Sequence, residues 1–193
     1  MKYWPIWIAL VLALAAAAIG LQMPGDAAEQ WRLATRFTAR VGVFFLLAAY
    51  VARPLAQLYP AGWTKALLRQ RRYWGLGFAA SHTVHLACIL SFFRVSGEDY
   101  PLPTLIGGGL GYVLLYAMAL TSNSAAMRAM GKWWKRLHRI GIHYLWFIFA
   151  FSYFGRVSDP DRVHIGAPLF ALTLLAAAIR LAAWVKTRRG RST

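Results

Sequence analysis

Apolar and polar residues in this chain do not interleave; they separate into long blocks. Six apolar runs, at about 4–21, 37–58, 73–93, 102–120, 133–155 and 165–185, are long enough to cross a bilayer as helices, a crossing that takes ~20 apolar residues. Short segments rich in Lys and Arg separate several of them. A backbone crossing hydrocarbon must satisfy its own hydrogen bonds, and a helix does so within one segment. The pattern therefore predicts an all-α integral membrane protein: a six-transmembrane-helix bundle, one transmembrane domain over residues 1–193, with the lipid bilayer as its solvent. The first run has a short basic start and an Ala-rich end, which also fits a signal peptide. The other five make a membrane protein in either case.

Composition agrees. Of 193 residues, 59% are hydrophobic and 15% charged, with a mean hydropathy of +0.45; that is too little charge to cover a water-soluble surface of this size. A net charge of +16 ordinarily points to nucleic acid, but here the basic residues lie in blocks between spans, which is the signature of topology. No nucleic-acid partner is expected. Lys65, Arg69, Arg71 and Arg72 precede the third run, Arg128, Lys132, Lys135 and Arg136 the fifth, and Lys186, Arg188, Arg189 and Arg191 follow the sixth. With six spans these segments share a side with the N-terminus, and the positive-inside rule makes that side the cytoplasm. Both termini are then cytoplasmic, in the bacterial inner membrane. All six acids (Asp26, Glu29, Glu98, Asp99, Asp159 and Asp161) fall in the other three loops.

The single cysteine, Cys88, excludes an internal disulfide and the Cys-x-x-Cys-His attachment of a c-type haem. It reads as a small packing residue. Neither a Gly-x-Gly-x-x-Gly fingerprint nor a Walker loop is present, so no nucleotide domain is fused to the chain.

Candidate chemistry lies in the histidines. His82 and His85 fall in the third run, and His138 and His143 in the fifth. An imidazole in hydrocarbon is costly unless something binds it. Counted from Trp74, His82 lies ~12 Å and His85 ~16 Å into the membrane; counted from Trp134, His143 lies at a comparable depth and His138 nearer the interface. Imidazoles on two facing helices form an axial pair for a b-type haem inside a bundle. His85, His143, His138 and His82 are the iron-ligand candidates. Phe78, Phe92, Trp146, Phe147 and Phe149 are candidates to line the slot, and the glycines from Gly107 to Gly111 permit close backbone approach. Arg40, Arg71, Arg72 and Arg139 are candidate propionate partners on the cytoplasmic side. One haem b is expected and two are possible, with a flavoprotein or a quinol as separate donor. His164, beside Asp161 and Arg162, reads as solvated. The alternative is a haem-free assembly subunit or small transporter whose histidines form interhelical hydrogen bonds.

Several motifs occur in order: Arg36-Phe-Thr-Ala-Arg40 with Arg53-Pro54-Leu55-Ala56, then Arg71-Arg72-Tyr73-Trp74-Gly75 and His85, then Leu120-Thr-Ser-Asn-Ser124, then Gly131-Lys-Trp-Trp-Lys-Arg-Leu-His138-Arg139. Over residues 36–155 these resemble the ferric reductase-like transmembrane domain family. More narrowly, they resemble its small bacterial branch of haem-binding subunits of methionine sulfoxide reductase systems. The resemblance implies a six-helix membrane cytochrome b, an electron-transfer subunit that passes electrons to an extracytoplasmic acceptor such as a periplasmic reductase or a ferric species. It matches His85 to the outer-leaflet ligand of the third span and His138 to the inner ligand of the fifth. The family's other two ligand positions are Phe151 or Ser152, and Arg71, in this chain. His143 or His138 is left to complete a pair with His85 or His82.

Overall fold

The computed structural model describes residues 2–190; Arg191 of the basic tail lies outside the described residues. Seven helices follow in order: α1 (Trp4–Leu21), α2 (Ala27–Leu58), α3 (Gly62–Ser96), α4 (Leu102–Leu120), α5 (Ser124–Met130), α6 (Lys132–Phe154) and α7 (Val163–Arg189). Five of them, α1, α2, α3, α4 and α7, are long and apolar enough to cross a membrane. α6 has 23 residues, ~35 Å of helix. Its first half, however, carries Lys132, Lys135, Arg136, His138, Arg139 and His143 and is much more polar.

The apolar runs at 4–21 and 102–120 coincide with α1 and α4, while α2 and α3 begin about ten residues earlier than hydropathy alone suggests. The reason is capping. Asp26 accepts the Glu29 N–H at 2.8 Å, and Glu29 pairs with Arg32, so the polar turns before the apolar run are helical too. At α3 the Thr64 hydroxyl accepts from the Ala61 N–H at 3.0 Å and donates to the Tyr59 carbonyl at 2.7 Å. The short α5 was not foreseen. Asn123 caps it by accepting the Ala126 N–H at 2.8 Å, and Gly131, with φ +51°, breaks it from α6.

α2 is the central strut, packed against α1, α3, α6 and α7. α1 lies on it through a ridge of small residues, Ala9, Ala13, Ala17 and Gly20, all buried. A Cβ at Gly20 would stand 2.4 Å from the Ala34 backbone, so the two helices touch there. On the other side the helices part. No Cα of α3 comes within 8 Å of one of α6, and side chains fill the space between them.

Pro54 explains two further contacts. It has no N–H, so the Tyr50 carbonyl one turn back loses its helical donor. Arg180 Nη1 of α7 donates to that carbonyl at 2.9 Å, its guanidinium 4.3 Å from the Tyr50 ring centroid. The neighbouring Ala49 carbonyl accepts from Arg71 Nε of α3 at 3.1 Å. Arg180→Leu is expected to destabilise the fold by about 1–3 kcal/mol, the cost of a buried unsatisfied group. Adding Pro54→Ala restores an N–H to Tyr50 and should recover most of the loss. Thermal unfolding of the single and double variants checks this; an equal loss with and without Pro54→Ala would refute it.

Candidate functional site

α3 runs antiparallel to α2, and four contacts fix their register. Arg71 meets Ala49, Trp74 meets Phe45, His82 meets Gly42 and His85 meets Thr38. His82 and His85 are thus brought together against the middle of α2, with ring centroids 5.0 Å apart.

His82 is 7% exposed and faces the gap between α3 and α6. Its ring lies 4.3 Å from Phe78, 5.4 Å from Phe149 of α6 and 6.2 Å from Tyr112 of α4, centroid to centroid. Against α2 it sits on bare backbone: a Cβ at Gly42 would stand 2.2 Å from its Cε1. Its Nδ1 is buried without a hydrogen-bond partner.

His85 differs in one decisive respect. Its Nδ1 lies 2.9 Å from Thr38 Oγ1. A hydroxyl has one proton, and that of Thr38 already serves the Ala34 carbonyl at 2.8 Å and the Thr35 carbonyl at 3.0 Å. Thr38 therefore accepts, and His85 donates from Nδ1. The ring is held as the tautomer whose Nε2 lone pair is free, the state that metal-ligating histidines adopt through such a supporting bond.

The α6 histidines share the Nδ1 bond, but the Nε2 of His138 meets Ser122 Oγ and only that of His143 is free. His143 Nδ1 donates to the Arg139 carbonyl at 2.7 Å, and His138 Nδ1 to the Trp134 carbonyl at 3.1 Å. Neither stands beside His85. The exposed His143 packs on Tyr50, 5.6 Å between centroids. From Thr38 to Tyr50 is twelve residues of α2, ~18 Å. His138 stacks on Trp134 at 4.0 Å and lies 3.5 Å from Ser122 Oγ, at the α4 end. Matched depth was expected from the Trp74 and Trp134 markers. The markers are not level, because the Trp134 indole is anchored to the Thr121 carbonyl beyond the end of α4 at 2.9 Å. The structure thus has two histidine levels, His82 with His85 and His138 with His143.

The candidate propionate partners also divide. Arg71, Arg72 and Arg139 lie at the end of the bundle holding the α6 histidines. Arg40 lies at the opposite end, two residues from Thr38 on α2, within electrostatic range of Tyr153 and Arg156. Placing it with Arg71 on the cytoplasmic side is corrected by the antiparallel register of α2 and α3. Arg71 is moreover engaged by the Ala49 carbonyl.

Of the expected slot-lining aromatics, Phe78 and Phe149 meet His82, whereas Trp146 donates to the Thr173 carbonyl at 2.9 Å and Phe147 is exposed. Phe92 packs on Phe93 at 5.1 Å. Gly107 faces α6 through its carbonyl, which accepts from Tyr144 at 2.9 Å. His164 is exposed, and Cys88 is buried with Ala17 and Ala34. Sequence reading missed Thr38, Gly42, Tyr112 and Tyr153. Thr38 and Gly42 repeat at i, i+4, the spacing of one helix face, and that was the available signal.

Relatives of known class can be set beside this geometry. The protein-methionine-sulfoxide reductase heme-binding subunit MsrQ of Yersinia pseudotuberculosis serotype O:1b (strain IP 31758) is 32% identical over 162 residues, covering 76% of this chain and 78% of the relative. The MsrQ of Yersinia pestis (strain Pestoides F) is likewise 32% identical, covering 76% of this chain and 77% of that one. This chain belongs to the MsrQ family. No family model matches it, and no solved structure matches it.

The MsrQ relatives carry a haem-binding role in their name, and the residues present here fit such a group. Among the described residues no three or more His, Cys, Asp or Glu side chains gather to hold a bare metal ion. Porphyrin brings four ligands of its own, so it needs only an imidazole nitrogen, an apolar surround and cations for its propionates. The free Nε2 of His85 and of His143, the gap filled by Phe78, Phe149 and Tyr112, and the orphaned Nδ1 of His82 meet that need.

Proposed function

We propose that this MsrQ-family chain is a b-type cytochrome of the bacterial inner membrane. It passes electrons from a cytoplasmic flavoprotein or a quinol to a methionine sulfoxide reductase on the far side. Six helices span, α6 included, and the termini and the Arg71 end are cytoplasmic, which the basic residues in the first turns of α3 and α6 and the last turns of α7 support. The observation that carries the reading is the Nδ1–H of His85 held by Thr38, which leaves Nε2 for iron.

His85 is the α3 ligand of a haem at its own level, and His143 and His138 are the candidates at the other level, where Arg71, Arg72 and Arg139 lie. Bound there, haem supplies a one-electron Fe(III)/Fe(II) couple. The chain's part is to hold that nitrogen still and to keep water out with Phe78, Phe149 and Tyr112. The helix register favours a second reading of the count. One haem at the His85 level is proposed first, but two histidine levels ~18 Å apart along α2 suit two.

Purified protein should give a reduced-minus-oxidised b-type spectrum, and a pyridine haemochrome assay should count one haem per chain; two would establish the stacked arrangement. A colourless preparation after haem-supplemented expression would sink the proposal in favour of a haem-free assembly subunit or transporter. Thr38→Val, which keeps shape but removes the acceptor, should retain a b-type spectrum while haem affinity falls ~10- to 100-fold. The midpoint potential should rise, because His85 becomes a less basic ligand; Thr38→Ser should restore both. An unchanged potential in Thr38→Val would remove the supporting role.

A further inference from the structure

At the His85 end of the bundle, α2, α6 and the start of α7 assemble a group of donors that has no carboxylate partner among the described residues. Tyr153 is 4% exposed, and its hydroxyl is buried without a hydrogen-bond partner. The Arg156 guanidinium lies 5.6 Å from its ring centroid, and the charges of both Arg156 and Arg40 bear on its hydroxyl. Arg36, one turn before Arg40 on the same face of α2, is within range of Arg40, Arg156, Arg162 and Arg32. Two acids are already engaged, Glu29 by Arg32 and Asp159 by Arg162 at 3.1 Å, while Asp161 is exposed and pairs with none of these arginines. Arg36, Arg40 and Arg156 have no ion pair among the described residues.

Arg156 is held in place rather than free to swing away. Its Nη1 donates to the Ser152 carbonyl at 2.8 Å and to Ser152 Oγ at 2.7 Å. A Cβ at Gly166 would stand 2.7 Å from the Arg156 Cβ, so the first turn of α7 is packed onto it. Guanidinia without a carboxylate that gather at a helix end repel one another unless an anion joins them. A buried phenol beside them adds one more donor in want of an acceptor.

We propose that Arg40, Arg156 and the Tyr153 hydroxyl, with Arg36 at the rim, form a carboxylate site that takes the propionates of the haem held at His85. This rests on the cytochrome reading above. Position favours that occupant. Tyr153 stacks one turn beyond Phe149 at 6.1 Å, and Phe149 in turn touches His82 at 5.4 Å. The donors therefore close the same apolar gap the histidines face, as suits a ligand with an apolar body and two carboxylates. The propionate edge then points away from the Arg71 end, toward the side where the proposed acceptor docks. A phosphate of an anionic lipid shares the chemistry.

The test is reconstitution of full-length protein, expressed without haem, with haem b and with haem dimethyl ester, whose propionates are blocked. Wild type should bind the free acid at least ~10-fold tighter, a charge-assisted preference of ordinary size. Arg40→Gln/Arg156→Gln should bind both forms equally, Arg40→Lys/Arg156→Lys should regain part of the preference, and Tyr153→Phe should lose part of it. Equal binding of both forms by wild type, or full preference in the Gln pair, overturns the proposal. So does an effect that appears only in nanodiscs containing phosphatidylglycerol and not in phosphatidylcholine, because the site then belongs to lipid. Should the Gln pair fail to run as a monodisperse peak, the wild-type comparison and Tyr153→Phe decide alone. Haem binding that depends on His85 but ignores the propionates refutes only this site; no binding of either form refutes the cytochrome reading and this site with it.

Discussion

His85→Ala is expected to abolish the b-type spectrum, with a fall in haem affinity larger than the ~10- to 100-fold that loss of a supporting hydrogen bond costs. The argument is one of tautomers. His85 gives its Nδ1 proton to Thr38 at 2.9 Å and keeps an unencumbered Nε2, whereas the neighbouring His82 has a buried Nδ1 with nothing to hold it. His82→Ala should therefore keep the haem with a shifted spectrum, and His164→Ala, at an exposed position at the start of α7, should change nothing. Difference spectra of the three variants at equal protein concentration check this. The assignment fails if His82→Ala is the colourless one.

Gly42→Ala is the second large effect. One methyl group would stand 2.2 Å from His82 Cε1 and 2.3 Å from its Nδ1. The ring has nowhere to retreat, since Phe78, Phe149 and Tyr112 surround it. Overpacking of this kind costs about 1–3 kcal/mol, and the displaced ring disturbs the space against α6, so a lower melting temperature and reduced haem content are both expected. Removing the ring should remove the conflict. Gly42→Ala/His82→Ala is expected to be more stable than Gly42→Ala alone, a non-additivity characteristic of groups in contact. Additive losses in thermal unfolding would mean that Gly42 matters for some other reason.

Much of the bundle was legible in the chain because hydrocarbon demands long uninterrupted apolar helices, and few other sequences look like that. The two histidine-bearing helices, the buried role of Cys88 and the exposure of His164 needed no more than local pattern. Helix ends were less legible: Asp26, Thr64 and Asn123 extend or start helices through caps that hydropathy does not see. Arg40 was misplaced for a related reason. A residue near the start of a span belongs to the side from which that span departs, here the side of Asp26 and Glu29, and the pairing of Thr38 with His85 and Ala49 with Arg71 shows how far Arg40 stands from Arg71.

Sequence by itself determined an all-helical membrane chain with histidine pairs on two of its helices, since burial cost and span length are read residue by residue. Tertiary structure alone decided which imidazole is braced, which rests on Gly42, and that His85 and His143 meet α2 ~18 Å apart. Those outcomes depend on how far one helix slides against another. That displacement is set by small residues, by Pro54 and the arginines that answer it, and by the anchoring of Trp134, all of them contacts between segments distant in sequence.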